Sequence, residues 1–448
     1  MLRPALMAAA IAAAFPAFAD SDLDALRAEL RAMKSSYEAR IQALEAQLKK
    51  PESSSAQAEP LSQQAAPPPA GNRFNPDISL ILQGRYAHLE DVGERRIAGF
   101  LPGGHGADAA RGFSLDGTEL VMSASIDPYF RGHLILALQD ETAEIEEAWF
   151  QTTGLGNGLS LKGGRFRSGL GYQNEQHPHA WDFADNTLMY RALFGEAYGN
   201  DGVQLKWVAP TDLFMEFGAE AGRGANFPGS DRNTNGAGSV ALFGHLGGDV
   251  GISHSWRAGV STLHANARDR DSELEDMNGV HAKTLFSGTS KTWVADVVWK
   301  WAPNGNAREQ NFKFAAEYFR RKESGELTCD DLDPLDPSLC SGGSPGDYKS
   351  TQSGFYAQGV YQFMPRWRTG YRYDRLNTGS VDFGANSAFL PVTDTQPTRH
   401  SLMLDYSPSE FSRLRLQYSK DKSMQGLGEN QWFVQYIHSL GNHGAHKF

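Results

Sequence analysis

The chain has 448 residues, a formal net charge of −11, 21% charged residues and two cysteines. That charge argues against nucleic acid as a partner, and after residue 19 no apolar run approaches the roughly 20 residues a membrane-crossing helix needs. A membrane barrel stays open, because its strands alternate lipid-facing and lumen-facing residues and average only modest hydropathy.

Residues 1–19 read as a secretory signal peptide. Arg3 supplies the positive start, "ALMAAAIAAAFPAF" is apolar but too short to span, and Ala17–Ala19 fits a small-x-small cleavage site. The mature chain is therefore expected to start near Asp20 and to leave the cytoplasm. Residues 20–50 carry Leu23, Leu26, Leu30, Met33, Tyr37, Ile41, Leu44 and Leu48 at steps of three and four. The doubled step of four at Tyr37 is a stutter in a coiled-coil seam, and so narrow a stripe calls for partner helices. Residues 51–73, with five prolines among Ser, Gln and Ala, form a semi-rigid, disordered linker.

From residue 74 to 448 the period becomes two. In "ISLILQGRY" the residues Ile78, Leu80, Leu82 and Tyr86 share one face, and Ser79, Gln83 and Arg85 share the other. "WVADVVWKW", "NFKFAAEYF" and "LRLQY" repeat the pattern, which marks strands with one apolar and one polar face. Short turns fall at Asp127–Pro128, Gly154–Gly158, Pro210–Asp212, Gly247–Asp249, Ala302–Arg308, Pro365 and Pro408–Glu410. Longer polar loops alternate with them near 90–114, 169–199, 224–236, 265–280, 323–350, 377–397 and 422–429, with one short exception around Asp140–Ala143. Such alternation builds an antiparallel transmembrane β-barrel of about 16 strands. Tyr86, Trp207, Trp301, Phe363, Trp367, Tyr373, Tyr406 and Tyr418 fall near strand ends, as interfacial girdles do. A soluble sandwich would not need either regularity. Cys329 and Cys340 flank "DDLDPLDPSL" and, in an exported chain, predict a local disulfide around a solvated acidic loop.

The order of signal peptide, short coiled coil, linker and sixteen-stranded barrel resembles Gram-negative outer-membrane porins, most closely those of phosphate-selective type. The stretch "LKGGRFRSGLGYQNEQHPHAWDFADNTLMYRALFG" resembles that family's strand end and third long loop. The resemblance implies that the loop near 169–199 folds into the lumen and narrows it. It further implies that three barrels associate in outer-membrane lipid, with the coiled coil in the periplasm, and that small hydrophilic solutes or ions diffuse through.

The lumen's charge is the handle on selectivity. "RWRTGYRYD" and "SRLRLQY" make strands 13 and 15 basic, with Arg366, Arg368, Arg372, Arg413 and Arg415 assigned to the pore. Strands 2, 4 and 7 are acidic, with Glu119 and Glu216 named as pore residues. Arg165, Arg167 and Arg191 flank the loop expected to constrict the lumen. A pure anion ladder would carry far fewer acids, so these charges point to a field across a general pore rather than to phosphate selectivity.

No His-Glu-x-x-His or P-loop pattern occurs, no triad is selected by spacing, and neither enzyme nor cofactor is assigned. No metal site is assigned either. His177 and His179 in "EQHPHAW" are the residues a passing cation would meet, which gives metal-ion uptake as a second reading, although loop histidines are ordinarily exposed. A tether between outer membrane and cell wall through residues 20–72 is a third. At the end of the chain, His443 and His446 would face opposite sides of an extended segment, whereas Phe448 offers the terminal aromatic that the barrel-assembly machinery recognises.

Overall fold

The computed structural model describes residues 76–441, apart from 93–94, 102–109, 116, 126, 140–141, 333–334, 336 and 341–342. The signal peptide, coiled coil, linker, His443, His446 and Phe448 lie outside the described residues.

Sixteen antiparallel strands form one closed sheet among the described residues. They are β1 (Asp77–His88), β2 (Gly112–Leu115 continued as Thr118–Ser125), β3 (Phe130–Gln139), β4 (Thr142–Thr152), β5 (Leu159–Arg167), β6 (Gly199–Val208), β7 (Phe214–Gly222) and β8 (Ser239–Val250). The second half comprises β9 (His254–Glu275), β10 (His281–Trp301), β11 (Asn311–Asp331), β12 (Ser344–Met364), β13 (Trp367–Asp382), β14 (Thr398–Ser409), β15 (Ser412–Lys422) and β16 (Glu429–Gly441). Closure comes from β1 pairing with β16, in register from Ser79 opposite Gly441 to His88 opposite Trp432. Both pieces of β2 pair with β1, with one residue of slip between them.

The two-residue period sorts the side chains. On β14 to β16 the apolar residues Leu402, Leu404, Leu414, Leu416, Val434 and Tyr436 are exposed on the outside. Their neighbours Ser401, Asp405, Arg415, Gln417 and Gln435 are buried within. This inverts a soluble protein, and it is stable only where lipid covers the outer face. Trp207, Trp301, Phe363, Trp367 and Tyr406 gather toward the short-turn rim, as the sequence suggests. Tyr418 packs against Trp432 toward the long-loop rim, with ring centroids 4.8 Å apart and planes tilted at 49°.

Two expectations are corrected. The turn expected at Gly247–Asp249 lies at 251–253 instead, and Gly247 is paired opposite Arg257. A Cβ at Gly247 would stand 2.8 Å from the Trp256 carbonyl oxygen, so the glycine answers a close approach inside the ladder rather than a turn. Much of the segments 265–280 and 323–350, and the first six residues of 377–397, are also strand. Strands β9 to β12 run 22, 21, 21 and 21 residues, about twice what a bilayer requires. Their excess projects beyond the long-loop rim. Outside lipid the outward residues need not be apolar: on β11 the outward Arg320, Lys322, Ser324 and Glu326 alternate with buried Phe319, Arg321, Glu323 and Leu327. The period of two persists there, but its hydropathy signal is lost. The projecting sheet has its own core, in which Phe286, Leu327, Tyr348, Phe383 and Leu390 surround the disulfide Cys329–Cys340.

Candidate functional site

The connection between β5 and β6, residues 168–198, enters the barrel. A 3-10 turn at Pro178–Ala180 is followed by the helix α1, Leu188–Phe194. Six of the seven α1 residues, all but Arg191, are buried, and a helix so largely apolar needs to be surrounded by protein. Leu188, Leu193 and Phe194 pack with Leu263, Val294, Phe319 and Leu376 of the inner wall, and Tyr190 meets Phe319 edge-on at 5.2 Å. Gly195, left-handed at φ 64°, ends the helix and returns the chain toward β6.

Polar fastenings run from both sides. Wall carboxylates receive the loop's donors. Glu317 accepts from the Tyr172 N–H at 2.6 Å, the Tyr190 hydroxyl at 3.2 Å and the Tyr356 hydroxyl at 2.7 Å. Glu220 accepts from the Gly169 N–H at 2.9 Å, and Asp374 from the Leu188 N–H at 3.0 Å. Loop carboxylates in turn meet wall cations. Asp182 pairs with Lys313 at 2.5 Å, and Asp185 pairs with Arg372 at 2.7 Å and Arg399 at 2.8 Å. The Trp181 carbonyl accepts from Arg415 at 2.9 Å and Arg413 at 3.4 Å. Buried loop backbone therefore finds partners, as it must.

This placement divides the residues named from sequence. Arg368, Arg372, Arg413 and Arg415 do face the lumen, but they hold the loop and one another's carboxylates: Arg368 and Arg415 both pair with Asp405. Their charge is spent within the wall. Glu216 lies on the inner face of β7, paired with Lys206 at 2.9 Å and with His245 at 3.2 Å. Arg366 is exposed in the short turn between β12 and β13 at φ 72°, which corrects its assignment to the pore. Arg165 is corrected as well. It stands opposite Ala148 and shares the outward parity of Leu159 and Leu161, pairing with Asp201 on the barrel's outer surface at 2.7 Å.

What remains open is a cavity of about 490 Å³ between the loop and β1 to β4 with β14 to β16. Arg167, Arg191 and Glu119, three of the residues named from sequence, line it. Arg85, Arg95 and Arg399, with Asp185, Glu196, Asp421 and Glu429, complete its charges. Arg399 was legible by parity with Asp405, which points inward; Asp185 and Glu196 sit in irregular chain, where parity gives no signal.

His177 and His179 are buried, against the expectation of exposed loop histidines. The His177 Nδ1 lies 3.2 Å from Glu146 and 3.4 Å from Glu119, and its Nε2 lies 2.9 Å from Glu147. The His179 Nδ1 lies 3.3 Å from Glu119. A bulge makes this possible. Ile135 pairs with Glu147 and Leu136 with Ile145, so Glu146 is the extra residue and two consecutive carboxylates reach one ring.

The pattern Gly-x-Ser-x-Gly does occur, at residues 342–346, but Ser344 opens a strand paired antiparallel at Cys329. That is not the strand-to-helix turn a nucleophile elbow requires.

No protein-family model matches the chain. An uncharacterized protein of Aquifex aeolicus is 30% identical over 415 residues, covering 84% of this chain and 80% of that protein. The chain belongs to that protein's family. Among solved structures, OmpT in its trimer form, an outer membrane protein of Vibrio cholerae, aligns with 82% of this chain and all of its own. Its TM-score is 0.51 at 12% identity. The loop L8 deletion mutant of the same protein gives a TM-score of 0.50, also at 12% identity. The chain therefore has the fold of an outer-membrane barrel, in agreement with the porin resemblance read from sequence.

Proposed function

We propose that the chain is an outer-membrane channel through which small hydrophilic solutes or ions diffuse passively. The observation that carries this reading is the charged cavity beside the constricting loop. Arginines from β1, α1 and β14 border it together with carboxylates from β2, the loop and β16. Interleaved signs make a field that orients polar solutes without strong preference for one ion sign. The buried ion pairs at Arg368, Arg372 and Arg415 take no part in selection; they set the loop's position and so the width of the path.

The reading extends to the termini. Residues 1–19 direct export, 20–50 form a periplasmic coiled coil, 51–73 space it from the barrel, and Phe448 serves assembly. A homotrimer is supported by the trimer form of the OmpT neighbour and by the coiled-coil seam. Purified protein in planar bilayers tests the function: stepwise openings with a modest anion/cation permeability ratio are expected. Folded protein that never conducts would overturn it.

A further inference from the structure

We propose that Glu119, Glu146 and His177 bind one divalent transition-metal ion of the zinc class, clamping the constricting loop to β2 and β4. The inference is independent of the channel reading. Glu119 is 1% exposed, and among the described residues neither of its carboxylate oxygens makes a hydrogen bond of acceptable geometry. What faces it is the pair of ring nitrogens at 3.4 and 3.3 Å. A buried carboxylate in that position needs a cation.

The His177 ring carries the argument further. Its Nε2 lies 2.9 Å from Glu147, whose other oxygen accepts from the Trp149 indole at 2.6 Å. With the Nε2 proton donated to Glu147, the Nδ1 lone pair of the neutral ring points at Glu146 and Glu119. Three lone-pair donors then converge within 4.8 Å of one another. Zinc bonds of about 2.0–2.1 Å in a tetrahedron place ligand atoms about 3.3–3.4 Å apart. The separations of 3.2 and 3.4 Å from Nδ1 to the two carboxylates match those edges.

Surrounding groups supply the outer shell. Glu147 on the far ring nitrogen makes the carboxylate–histidine–metal relay that fixes tautomer and orientation. Arg167 pairs with the Glu146 oxygen turned away from His177, and His179 steadies Glu119. Two carboxylates balance a dication. An imidazole among so few ligands selects zinc-like ions over calcium or magnesium, which want more oxygens. Three protein ligands leave a fourth position for water on the cavity side.

The test uses the full chain purified in detergent, stripped with EDTA and dialysed at neutral pH against Zn²⁺, with metal per chain read by mass spectrometry. One ion per folded chain is expected, and equal Ca²⁺ should not displace it. Glu119→Gln and His177→Ala should abolish stoichiometric binding, and Glu147→Gln should weaken it about 10–100-fold. Heat-modifiable gel migration confirms that each variant barrel is folded; a variant that is not is replaced by Glu146→Gln, with the same expectation. Zn²⁺ that fails to bind the folded wild type overturns the proposal. Binding that survives Glu119→Gln and His177→Ala overturns it equally.

Discussion

Arg415 and Asp405 face each other across β15 and β14, Nε to Oδ1 at 2.8 Å and Nη2 to Oδ2 at 3.2 Å, and neither side chain is exposed. The same arginine reaches the Trp181 carbonyl, so one pair links two strands to the loop. Asp405→Asn should therefore lower barrel stability by about 3–5 kcal/mol by stranding buried cations, whereas Asp405→Leu/Arg415→Met/Arg368→Met, which removes the carboxylate together with both arginines paired to it, should lose much less. Thermal unfolding followed by heat-modifiable mobility gives both values; equal losses would disprove the pairing.

Glu317 accepts from three donors of the loop, the Tyr172 and Gln173 N–H groups and the Tyr190 hydroxyl. Glu317→Ala leaves the Tyr172 N–H and two buried hydroxyls without this acceptor, each such hydrogen bond being worth about 0.5–1.5 kcal/mol. The loop should loosen, and single-channel conductance should rise with noisier open levels. Unchanged conductance with unchanged noise would show that the loop is held by its apolar packing alone.

Charges bordering the cavity should control ion preference, and those elsewhere should not. Arg191 lines it, 3.6 Å from Glu196, while Arg165 lies on the outer surface. Arg191→Glu is expected to shift the permeability ratio toward cations by a factor of a few, and Arg165→Gln to leave it unmoved. Bilayer reversal potentials in a salt gradient separate the two.

The disulfide closes a separation of 11 residues in the projecting sheet. Cys329→Ser/Cys340→Ser should cost about 2–3 kcal/mol by the chain-entropy account, confined to that sheet. Protease should then cut within 332–343 sooner than in the wild type, while conductance stays the same.

Asp276 ties that segment to the β9–β10 turn, accepting from the Leu339, Asn278 and Val280 N–H groups at 2.8, 2.8 and 3.0 Å. Burial alone would raise its pKa, but these donors outweigh burial and hold it below the ordinary carboxylate value. A depressed carboxylate contributes stability at neutral pH, and that contribution is lost as pH falls through the unfolded and then the folded pKa. Cleavage or hydrogen exchange around Leu339 should accelerate below about pH 4 in the wild type. Asp276→Asn should show the faster rate already at neutral pH and little further change in acid.

The sequence by itself determined the barrel. Alternation along "ISLILQGRY" and "LRLQY" assigns each side chain to lipid or lumen, because the pleat leaves only two sides, and the spacing of turns counts the strands. The outward position of Arg165 was present in its parity with Leu159 and Leu161; its nearness to the loop suggested otherwise. Tertiary structure alone decided which inward charges are spent. Parity gives a side of the sheet but neither a height nor a partner, so Arg372 and Arg85 look alike in sequence, although the first is locked to Asp185 and the second borders the cavity. The same reason hid the cluster at His177. Its carboxylates stand about 30 and 60 residues away, on β4 and β2, and only the folding of the loop into the barrel and one bulge bring them to a single imidazole.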